Sequence, residues 1–222
     1  MHIPDGLLST PVIVTTNSLS VLIITFIWRR VKNYFSEKTV PKVALLAAFL
    51  FVAQMINIPV AGGTSAHLAG ATLSVLIAGP EMAIFIMVLV ISVQMLVFQD
   101  GGLLAWGANI LNIGITPVIL SYFLFSLFAK LSAKYTSPHF LRMIIIFFIA
   151  SFSIQTGAAL CGLELGLSGL APFEKILSLM IFVHSGIGVL EGILTVLIYE
   201  LIRSNRPDLV FFYVPNTGMI NE

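Results

Sequence analysis

The first two residues of the chain could together bind one metal ion. With a free amino terminus, Met1 offers its α-amine, and His2 offers a ring nitrogen and, after loss of the amide proton, its backbone nitrogen. The amine and the amide close a five-membered chelate ring, the amide and Nδ1 close a six-membered one, and the three nitrogens lie in one plane. Such a plane suits Ni²⁺ or Cu²⁺ better than Zn²⁺, which prefers tetrahedral ligation.

A fourth nitrogen could come from His67, which follows Gly62-Gly63-Thr64-Ser65-Ala66 between two apolar segments. The Met1-His2 dipeptide alone is a weak motif, because every chain starts with methionine and a histidine can stand second by chance. His139 lies in a basic connection, where we expect a solvated and dispensable loop residue. His184 lies two turns before Glu191, and both a structural hydrogen bond and a functional site stay open for this pair.

The composition predicts an integral membrane protein. Of the 222 residues, 58% are apolar and 9% are charged, against about 25% charged in soluble proteins, and the mean hydropathy is +1.04. The single cysteine, Cys161, excludes an internal disulfide and a thiolate metal cluster. A net charge of +1 gives no indication of a nucleic-acid partner. The chain also opens without the basic segment of a cleavable signal peptide, so we expect Met1 to be the mature terminus.

Seven apolar segments predict an all-α protein that crosses the membrane seven times. The third segment is short, and the turn Gly79-Pro80-Glu81 separates it from the fourth. The segments cover residues about 10–28, 42–58, 67–79, 82–98, 106–129, 142–163 and 175–202.

The basic residues predict an external amino terminus and a cytoplasmic carboxyl terminus. With seven spans, ten of the eleven basic residues fall on the cytoplasmic side and only Lys175 falls outside, as the positive-inside rule requires. Six spans would place one group of them on the wrong side. The same topology places His67 on the external side, together with Met1 and His2. The ten residues are Arg29, Arg30, Lys32, Lys38, Lys42, Lys130, Lys134, Arg142, Arg203 and Arg206.

Polar side chains lie in or beside the spans near their external half. Unpaired amides in a bilayer cost free energy on the kcal/mol scale, so these side chains must face the protein interior. For any single one, a structural hydrogen bond between helices is the simplest explanation; together with His67 they predict a polar pocket. Asp100 could offset the charge of a bound cation or orient a ligating imidazole. The set comprises Gln54, Asn57, Gln94, Gln99, Asp100, Asn109 and Asn112.

The chain carries no motif that would energise transport. A glycine-rich loop ending in Gly-Lys does not occur, so the sequence predicts no ATPase activity of its own. The motifs His-Glu-x-x-His and Gly-x-Ser-x-Gly are also absent, which argues against the common intramembrane proteases. An importer built from this chain would need an ATPase elsewhere or an ion gradient.

Three motifs, in order along the chain, carry a family resemblance. They are Met1-His2-Ile3-Pro4-Asp5-Gly6, the run from Gly62 to Gly70, and Phe98-Gln99-Asp100-Gly101-Gly102-Leu103 with Gly107-Ala108-Asn109. With these motifs the chain resembles the CbiM/NikM family over essentially its whole length, and it is similar to the nickel type. The family comprises the substrate-specific membrane components of energy-coupling-factor transporters for cobalt and nickel. The resemblance implies that the terminal amine, the amide and imidazole of His2, and the imidazole of His67 hold the metal.

The resemblance also implies the architecture and the partners. It predicts one membrane domain over residues 1–222, with an extra amino-terminal helix at about 10–28, a six-helix core at about 42–202, and the amino-terminal segment inserted into the protein centre. The implied location is the prokaryotic plasma membrane. The implied partners are a transmembrane coupling subunit, cytoplasmic ATPase subunits and often a small accessory membrane subunit. Ni²⁺ or Co²⁺ is the implied transported substrate, and no cofactor is expected.

The motif chemistry and the resemblance together predict a transporter subunit, not an enzyme, that captures external Ni²⁺ in a near-planar site of four nitrogens. A cobalt-specific subunit of the same system, serving cobalamin synthesis, is the nearest alternative, because affinity order alone does not select nickel. An intramembrane metalloenzyme using His184 and Glu191 is more distant, since it needs an open metal position beside a general base. A stand-alone channel would need a continuous polar stripe that segments two and four lack.

Overall fold

The structure is a computed structural model that describes residues 1–60, 64–132 and 139–212. The described part is mostly helical, with one two-stranded hairpin, and a π-helical stretch at Ile110–Ile115 joins helices α5 and α6. The helices are α1 (Thr10–Val31), α2 (Thr39–Met55), α3 (Ala71–Ala78), α4 (Pro80–Phe98), α5 (Trp106–Asn109), α6 (Thr116–Ser132), α7 (His139–Leu167) and α8 (Phe173–Asn205); the strands are β1 (Asn57–Val60) and β2 (Thr64–His67). A short 3₁₀ turn, Pro207–Leu209, follows α8.

Five helical stretches in the described residues are long and apolar enough to cross a membrane. They are Thr10–Val31, Pro80–Phe98, Trp106–Lys130, His139–Leu167 and Phe173–Asn205. Helix α2, with 17 residues, is apolar but shorter. Helix α3 has 8 residues, and at 1.5 Å per residue it extends only about 12 Å of the roughly 30 Å hydrocarbon thickness. The seven-span count therefore stays a prediction.

The hairpin between α2 and α3 departs from the all-helical prediction. Apolar segments were expected up to residue 58 and again from residue 67, but α2 ends at Met55 and the strands pair in antiparallel register from Asn57 with His67 to Val60 with Thr64. Pro59 cannot donate a helical backbone hydrogen bond, which favours extended structure here. Gly62 and Gly63 lie outside the described residues. The consequence is that His67 ends a strand instead of opening a helix.

Helix α3 lies at the centre of the molecule. Every residue from 71 to 77 is buried, and the helix contacts α4, α6, α7 and α8. A helix that is apolar on all sides is expected in such a position. Gly70 and Gly79 flank it with φ angles of 73° and 80°, a left-handed conformation that glycine adopts without strain. Pro80 then begins α4, so the predicted break between the third and fourth segments is confirmed.

Helices α7 and α8 form a long, closely packed pair through small residues. A Cβ atom on Gly192 would lie 2.6 Å from the Phe147 ring, and a Cβ on Gly188 would lie 3.1 Å from the carbonyl oxygen of Ser151. Glycine at these two positions, four residues apart, lets the helix backbones approach closely. This packing fixes α8 beside the rest of the core.

The polar contacts at the two ends of α4 show where the amino terminus lies. Arg30 lies 3.2 Å from Glu81, which joins the end of α1 to the start of α4. The N–H of Phe211, after α8, donates to the carbonyl of Leu76 near the end of α3 at 2.9 Å. Asp100 follows the opposite end of α4, and there it lies beside His2. The amino terminus is therefore at the end of α4 remote from Arg30.

His139 is the first residue of α7, where the sequence predicted a solvated loop residue. Its side chain is half exposed, and Nδ1 accepts from Arg142 and lies 3.8 Å from a carboxyl oxygen of Glu200 in α8. Arg142 itself is fully buried and donates to Glu200 at 2.9 Å. The side chain is solvent-exposed as predicted, but the structure places His139 at the start of α7 and not in a loop. That it is dispensable for metal binding stays a prediction.

Candidate metal centre

The amino-terminal segment is docked on Asn109 at the end of α5. The N–H of Ile3 donates to Oδ1 of Asn109 at 2.7 Å, and Nδ2 of Asn109 donates to the carbonyl of Ile3 at 3.1 Å. That carbonyl also accepts from the N–H of Gly102 at 2.9 Å. Both backbone groups of Ile3 are thus paired, as buried backbone must be. The pairing places Met1 and His2 inside the protein.

Asp5 fastens the other end of the same segment. Its carboxylate accepts from the backbone N–H groups of Leu103 at 3.0 Å and Leu104 at 2.8 Å, just before α5 begins. A carboxylate is favourable there because the helix start presents unpaired N–H groups and a partial positive charge. A Cβ atom at Gly102 would lie 2.2 Å from the Asp5 carboxyl, so only glycine leaves room for this contact. The first and third sequence motifs therefore contact each other directly.

Helix α1 supports the loop that receives this segment. Asn17 donates to the carbonyl of Leu104 at 2.7 Å and accepts from the N–H of Gly107 at 3.1 Å. Ser20, one turn further along, donates to the Gly107 carbonyl at 2.8 Å. A Cβ at Gly107 would lie 2.5 Å from the Asn17 backbone, so the two elements touch without intervening side chains.

The three residues predicted as ligands lie together in the interior. Met1, His2 and His67 are 0%, 3% and 1% exposed. The imidazole rings of His2 and His67 have centroids 4.7 Å apart and planes 26° apart. The Met1 amine contacts the carbonyl of Ser65 on β2. The hairpin therefore brings Ser65 next to Met1, 64 positions away, and His67 next to His2.

The hydrogen bonds of His67 define which ring nitrogen is free. Nδ1 lies 2.8 Å from the carbonyl oxygen of Leu68, and because a carbonyl can only accept, Nδ1 carries the proton. Nε2 then carries a lone pair. Among the described residues Nε2 has no hydrogen-bond partner, and neither has either ring nitrogen of the buried His2. Such unpartnered buried nitrogens are unusual in a folded protein and suit a metal ion.

Burial dominates the protonation of these groups. It lowers the pKa of the Met1 amine to about 5. Burial, reinforced by the positive charge of the amine, lowers the pKa of the His2 imidazole to about 3 and the pKa of His67 well below its ordinary value. At neutral pH all three groups are therefore uncharged, which is the state that a metal ligand requires.

The predicted polar pocket is formed in part. Asp100, with its Oδ1 3.5 Å from Nδ1 of His2, lies beside the ring, too far for a strong hydrogen bond. Burial raises the pKa of the Asp100 carboxyl, and the Met1 amine opposes this shift. Gln54 and Gln94 are buried, and Gln54 donates to the carbonyl of Ala69 at 2.7 Å.

The remaining predicted polar residues lie elsewhere or at the surface. Asn112 is buried and donates to Glu164 at 2.6 Å, so it acts as structural glue between helices. Asn57 and Gln99 are exposed, but Nδ2 of Asn57 donates to Oδ2 of Asp100 at 3.5 Å, so Asn57 contacts the pocket from its outer side. Asp5 and Asn17 hold the site without having been singled out from the sequence. Their signal was a carboxylate within the first motif and an amide inside the first apolar segment.

His184 and Glu191 both make hydrogen bonds to the backbone. Nδ1 of His184 donates to the carbonyl of Met180 at 2.8 Å. Both carboxyl oxygens of Glu191 accept backbone hydrogen bonds, from Ala69 at 2.9 Å and Gly70 at 2.7 Å. The carboxyl group is occupied in holding the chain that follows β2. It is not placed as a general base beside an open metal position, so the metalloenzyme alternative gains no support.

Side chains alone do not complete a metal site. Across residues 1–60, 64–132 and 139–212, no three side chains of His, Cys, Asp or Glu converge on one point. Any ion held by His2 and His67 needs further donors, and the Met1 amine and the backbone nitrogen of His2 are joined to the His2 ring by a few covalent bonds. The chelate predicted from the first two residues stays a prediction.

Known proteins are similar to this chain in sequence and in fold. Residues 2–209 match the family described as the cobalt uptake substrate-specific transmembrane region, CbiM. A protein of Haloquadratum walsbyi assigned to metal transport is 32% identical over 222 residues, covering 99% of this chain and 97% of that protein. The fused nickel transport protein NikMN of Rhodobacter capsulatus is 29% identical over 225 residues, covering 95% of this chain and 64% of the fused protein.

A solved structure gives the same result for the fold. The crystal structure of a truncated transition metal transporter matches with a TM-score of 0.81 at 30% identity, covering 92% of this chain and 99% of that one. The apolar helices and the transporter relatives together indicate a multi-pass membrane protein. Since the match to the family begins at His2 and runs to the turn after α8, the chain belongs to the CbiM family of nickel and cobalt transport proteins.

Proposed function

We propose that the chain is the substrate-binding membrane subunit of an energy-coupling-factor importer and captures Ni²⁺ in a near-planar site of four nitrogens. Met1 gives its amine, His2 its backbone and Nδ1 nitrogens, and His67 its Nε2. The observation that carries the proposal is the burial of these three residues together, with the free Nε2 of His67 facing no protein partner among the described residues.

The separation of the two rings supports ligation of one ion. A metal lies about 2.0–2.1 Å from an imidazole nitrogen, so each ring centroid would be about 3.2 Å from the ion. Two rings at adjacent corners of a square plane then have centroids about 4.5 Å apart, whereas rings at opposite corners are about 6.4 Å apart. The 4.7 Å between His2 and His67 agrees with adjacent corners. The backbone nitrogen of His2 would then lie opposite His67.

The charge of the proposed site is compatible with burial. Loss of the amide proton reduces the net charge of the nickel unit to +1, which makes its transfer from water less costly than that of the bare ion. Asp100, 3.5 Å from Nδ1 of His2, can offset part of the remaining charge. Asp100 is only partly buried, so it also offers an external cation its first contact.

The proposal includes the topology and the partners. We propose seven crossings, with Met1 on the external side and the carboxyl terminus in the cytoplasm, because this arrangement keeps the basic residues inside. The whole chain would act as one membrane domain. Transport would need a transmembrane coupling subunit and cytoplasmic ATPases, with a small accessory membrane subunit in addition in some systems. The fused nickel transport relative is consistent with such additional parts.

Cobalt is the second candidate substrate, because the matching family is described as cobalt uptake. A planar set of four strong nitrogen donors favours nickel, which becomes low-spin and diamagnetic in such a field. The test is the metal content and the magnetism of the protein purified with its native terminus and offered equal Ni²⁺ and Co²⁺. One equivalent of diamagnetic nickel is expected. Paramagnetic six-coordinate nickel, or a preference for cobalt, would contradict the planar site.

The same preparation tests the terminal amine. One residue added before Met1 converts the amine to an amide and must also fit where Met1 is fully buried, so high-affinity binding should be lost. A carboxyl-terminal extension of the same size is the control and should bind normally. The variant His2→Ala should also lose nickel. Full binding by the protein extended at its amino terminus would refute the chelate.

A further inference from the structure

Helix α8 holds the chain that carries His67 at two points. Ahead of His67, Thr64 Oγ1 lies 3.6 Å from the sulfur of Met180. Beyond it, Ala69 and Gly70 donate their N–H groups to Glu191. The two anchor points on α8 are about 17 Å apart at 1.5 Å per residue, and five extended residues reach about the same distance. His67 therefore lies between two fixed points on one rigid helix.

One peptide unit connects Glu191 to the imidazole of His67. The carbonyl oxygen of Leu68 accepts from Nδ1 of His67 at 2.8 Å. The N–H of the same peptide unit belongs to Ala69 and donates to Oε2 of Glu191 at 2.9 Å. A planar peptide cannot turn one of these groups without turning the other. Glu191 therefore fixes the carbonyl that orients His67, and the carboxyl group reinforces the acceptor strength of that carbonyl by polarising the peptide.

Steric contacts leave this peptide unit little freedom. Gly70 has a φ of 73°, and a Cβ on it would lie 2.1 Å from the side chain of Leu50 in α2. The second hydrogen bond to Glu191, from Gly70 at 2.7 Å, completes the turn. The segment after His67 is thus held between α2 and α8. Glu191 is 3% exposed, so water does not compete for its oxygens.

We propose that Glu191 is a positioning residue for metal capture, acting through the Leu68–Ala69 peptide unit to keep Nε2 of His67 deprotonated and directed at the ion. This inference rests on the proposed function, since it assumes that His67 is a ligand. It gives the intramembrane acid of α8 a role in binding that requires no contact with the metal. Partners that orient a ligating histidine are a common feature of metal sites.

The test compares Glu191→Gln with Glu164→Gln. The glutamine at position 191 keeps the shape but can accept only one of the two backbone N–H groups and turns a donor towards the other. Glu164, 4% exposed in α7, is the matched control because it is a similarly buried acid that accepts a hydrogen bond from Asn112, whereas Glu191 accepts from the chain after His67. Two quantities are measured: the Ni²⁺ dissociation constant, and the ¹⁵N resonances of histidine-labelled, metal-free protein, which report the tautomer of His67.

We expect Glu191→Gln to weaken Ni²⁺ binding about tenfold, at the low end of such outer contacts, and to reduce the Nδ1–H tautomer of His67. The control should change neither quantity, whatever its effect on melting temperature. Weaker binding with an unchanged tautomer would overturn the inference, because Glu191 would then act elsewhere. Unchanged binding and tautomer would also overturn it. A changed tautomer with unchanged Ni²⁺ affinity would remove His67 from the proposed site, and with it the role of Glu191 in binding.

Discussion

Nickel binding at pH 7 should release close to one proton per ion. The proton comes from the backbone nitrogen of His2, which must lose it to ligate. The Met1 amine has a pKa of about 5 and the His2 imidazole one of about 3, both lowered by burial. At pH 7 the amine is then only about 1% charged and the imidazole is neutral. The other donors therefore bring no protons to release.

An exposed amino terminus would behave differently. With the ordinary pKa values of 8.0 for the amine and 6.5 for imidazole, the amine would be about 90% charged at pH 7 and each imidazole about 24% charged. Adding the amide proton, binding would release more than two protons. A buried and an exposed amino terminus thus differ by more than one released proton per ion, a difference that calorimetry resolves.

The sign of the pH dependence follows from the same values. Between about pH 6 and 8 only the backbone amide of His2 loses a proton on binding. The Ni²⁺ dissociation constant should therefore fall tenfold for each unit by which the pH rises, a change of about 1.36 kcal/mol in binding free energy. Below about pH 5 the Met1 amine becomes protonated in the metal-free protein, and the dependence should steepen to two protons. Acid therefore releases the metal.

Isothermal titration calorimetry with Ni²⁺ at pH 7, repeated in several buffers, measures the number of protons released per ion. This number is the magnitude of the slope of the observed enthalpy against the ionisation enthalpy of the buffer. A slope near one is expected. A slope of two or more would mean that the amine is charged and the amino-terminal segment is not buried before binding. A slope near zero would mean that the His2 amide keeps its proton, which would refute the planar chelate.

Three further predictions concern the residues around the site. His67→Ala should lose high-affinity nickel binding and His139→Ala should not, and equal binding by both variants in a metal competition titration would contradict the ligand assignment. Asn109→Ala removes two buried hydrogen bonds to the amino-terminal segment, which contribute about 2 kcal/mol together. Nickel should then bind about 30-fold more weakly. An unchanged dissociation constant would show that the segment docks without these bonds. Gly102→Ala puts a Cβ atom 2.2 Å from a carboxyl oxygen of Asp5 and should abolish tight nickel binding. Gly186→Ala is the control, because no atom lies within 4 Å of the added Cβ, and it should bind nickel as the native protein does. Stronger nickel binding by Gly102→Ala than by Gly186→Ala would contradict the described docking.

The sequence indicated which residues meet in the interior better than it indicated what holds them there. The chelate of Met1 and His2 depends only on atoms joined by a few covalent bonds, so its ring sizes could be worked out without a fold. His67 was a candidate because an imidazole after a glycine-rich turn between apolar segments is conspicuous, and the structure places its ring beside that of His2. Asp5 was quoted within a motif and assigned no role, because its partners are backbone N–H groups about 100 positions away.

The hydrophobic pattern of the sequence did not predict the hairpin of β1 and β2. Residues 57–60 and 64–67 form strands of only four residues each, too short to be separated from the neighbouring helices by periodicity. The strand that pairs Asn57 with His67 also contacts the amino terminus through Ser65 and helix α8 through Thr64, and these contacts are distant in sequence. His139 was misplaced for a similar reason, because its partners in α7 and α8 become visible only when the helices are paired.

Composition and covalent geometry by themselves determined that this is a membrane protein with a potential nitrogen chelate at its first two residues. Both are properties of the chain before it folds, since hydropathy is summed over residues and a chelate ring closes within one dipeptide. Only the tertiary structure decided that His67 meets His2, that Asn109 and Asp5 hold the terminus in place, and that Glu191 is bonded to the peptide after His67. Those relations join residues 65 to 122 positions apart, and their geometry is set by the packing of helices around α3, which no local pattern records.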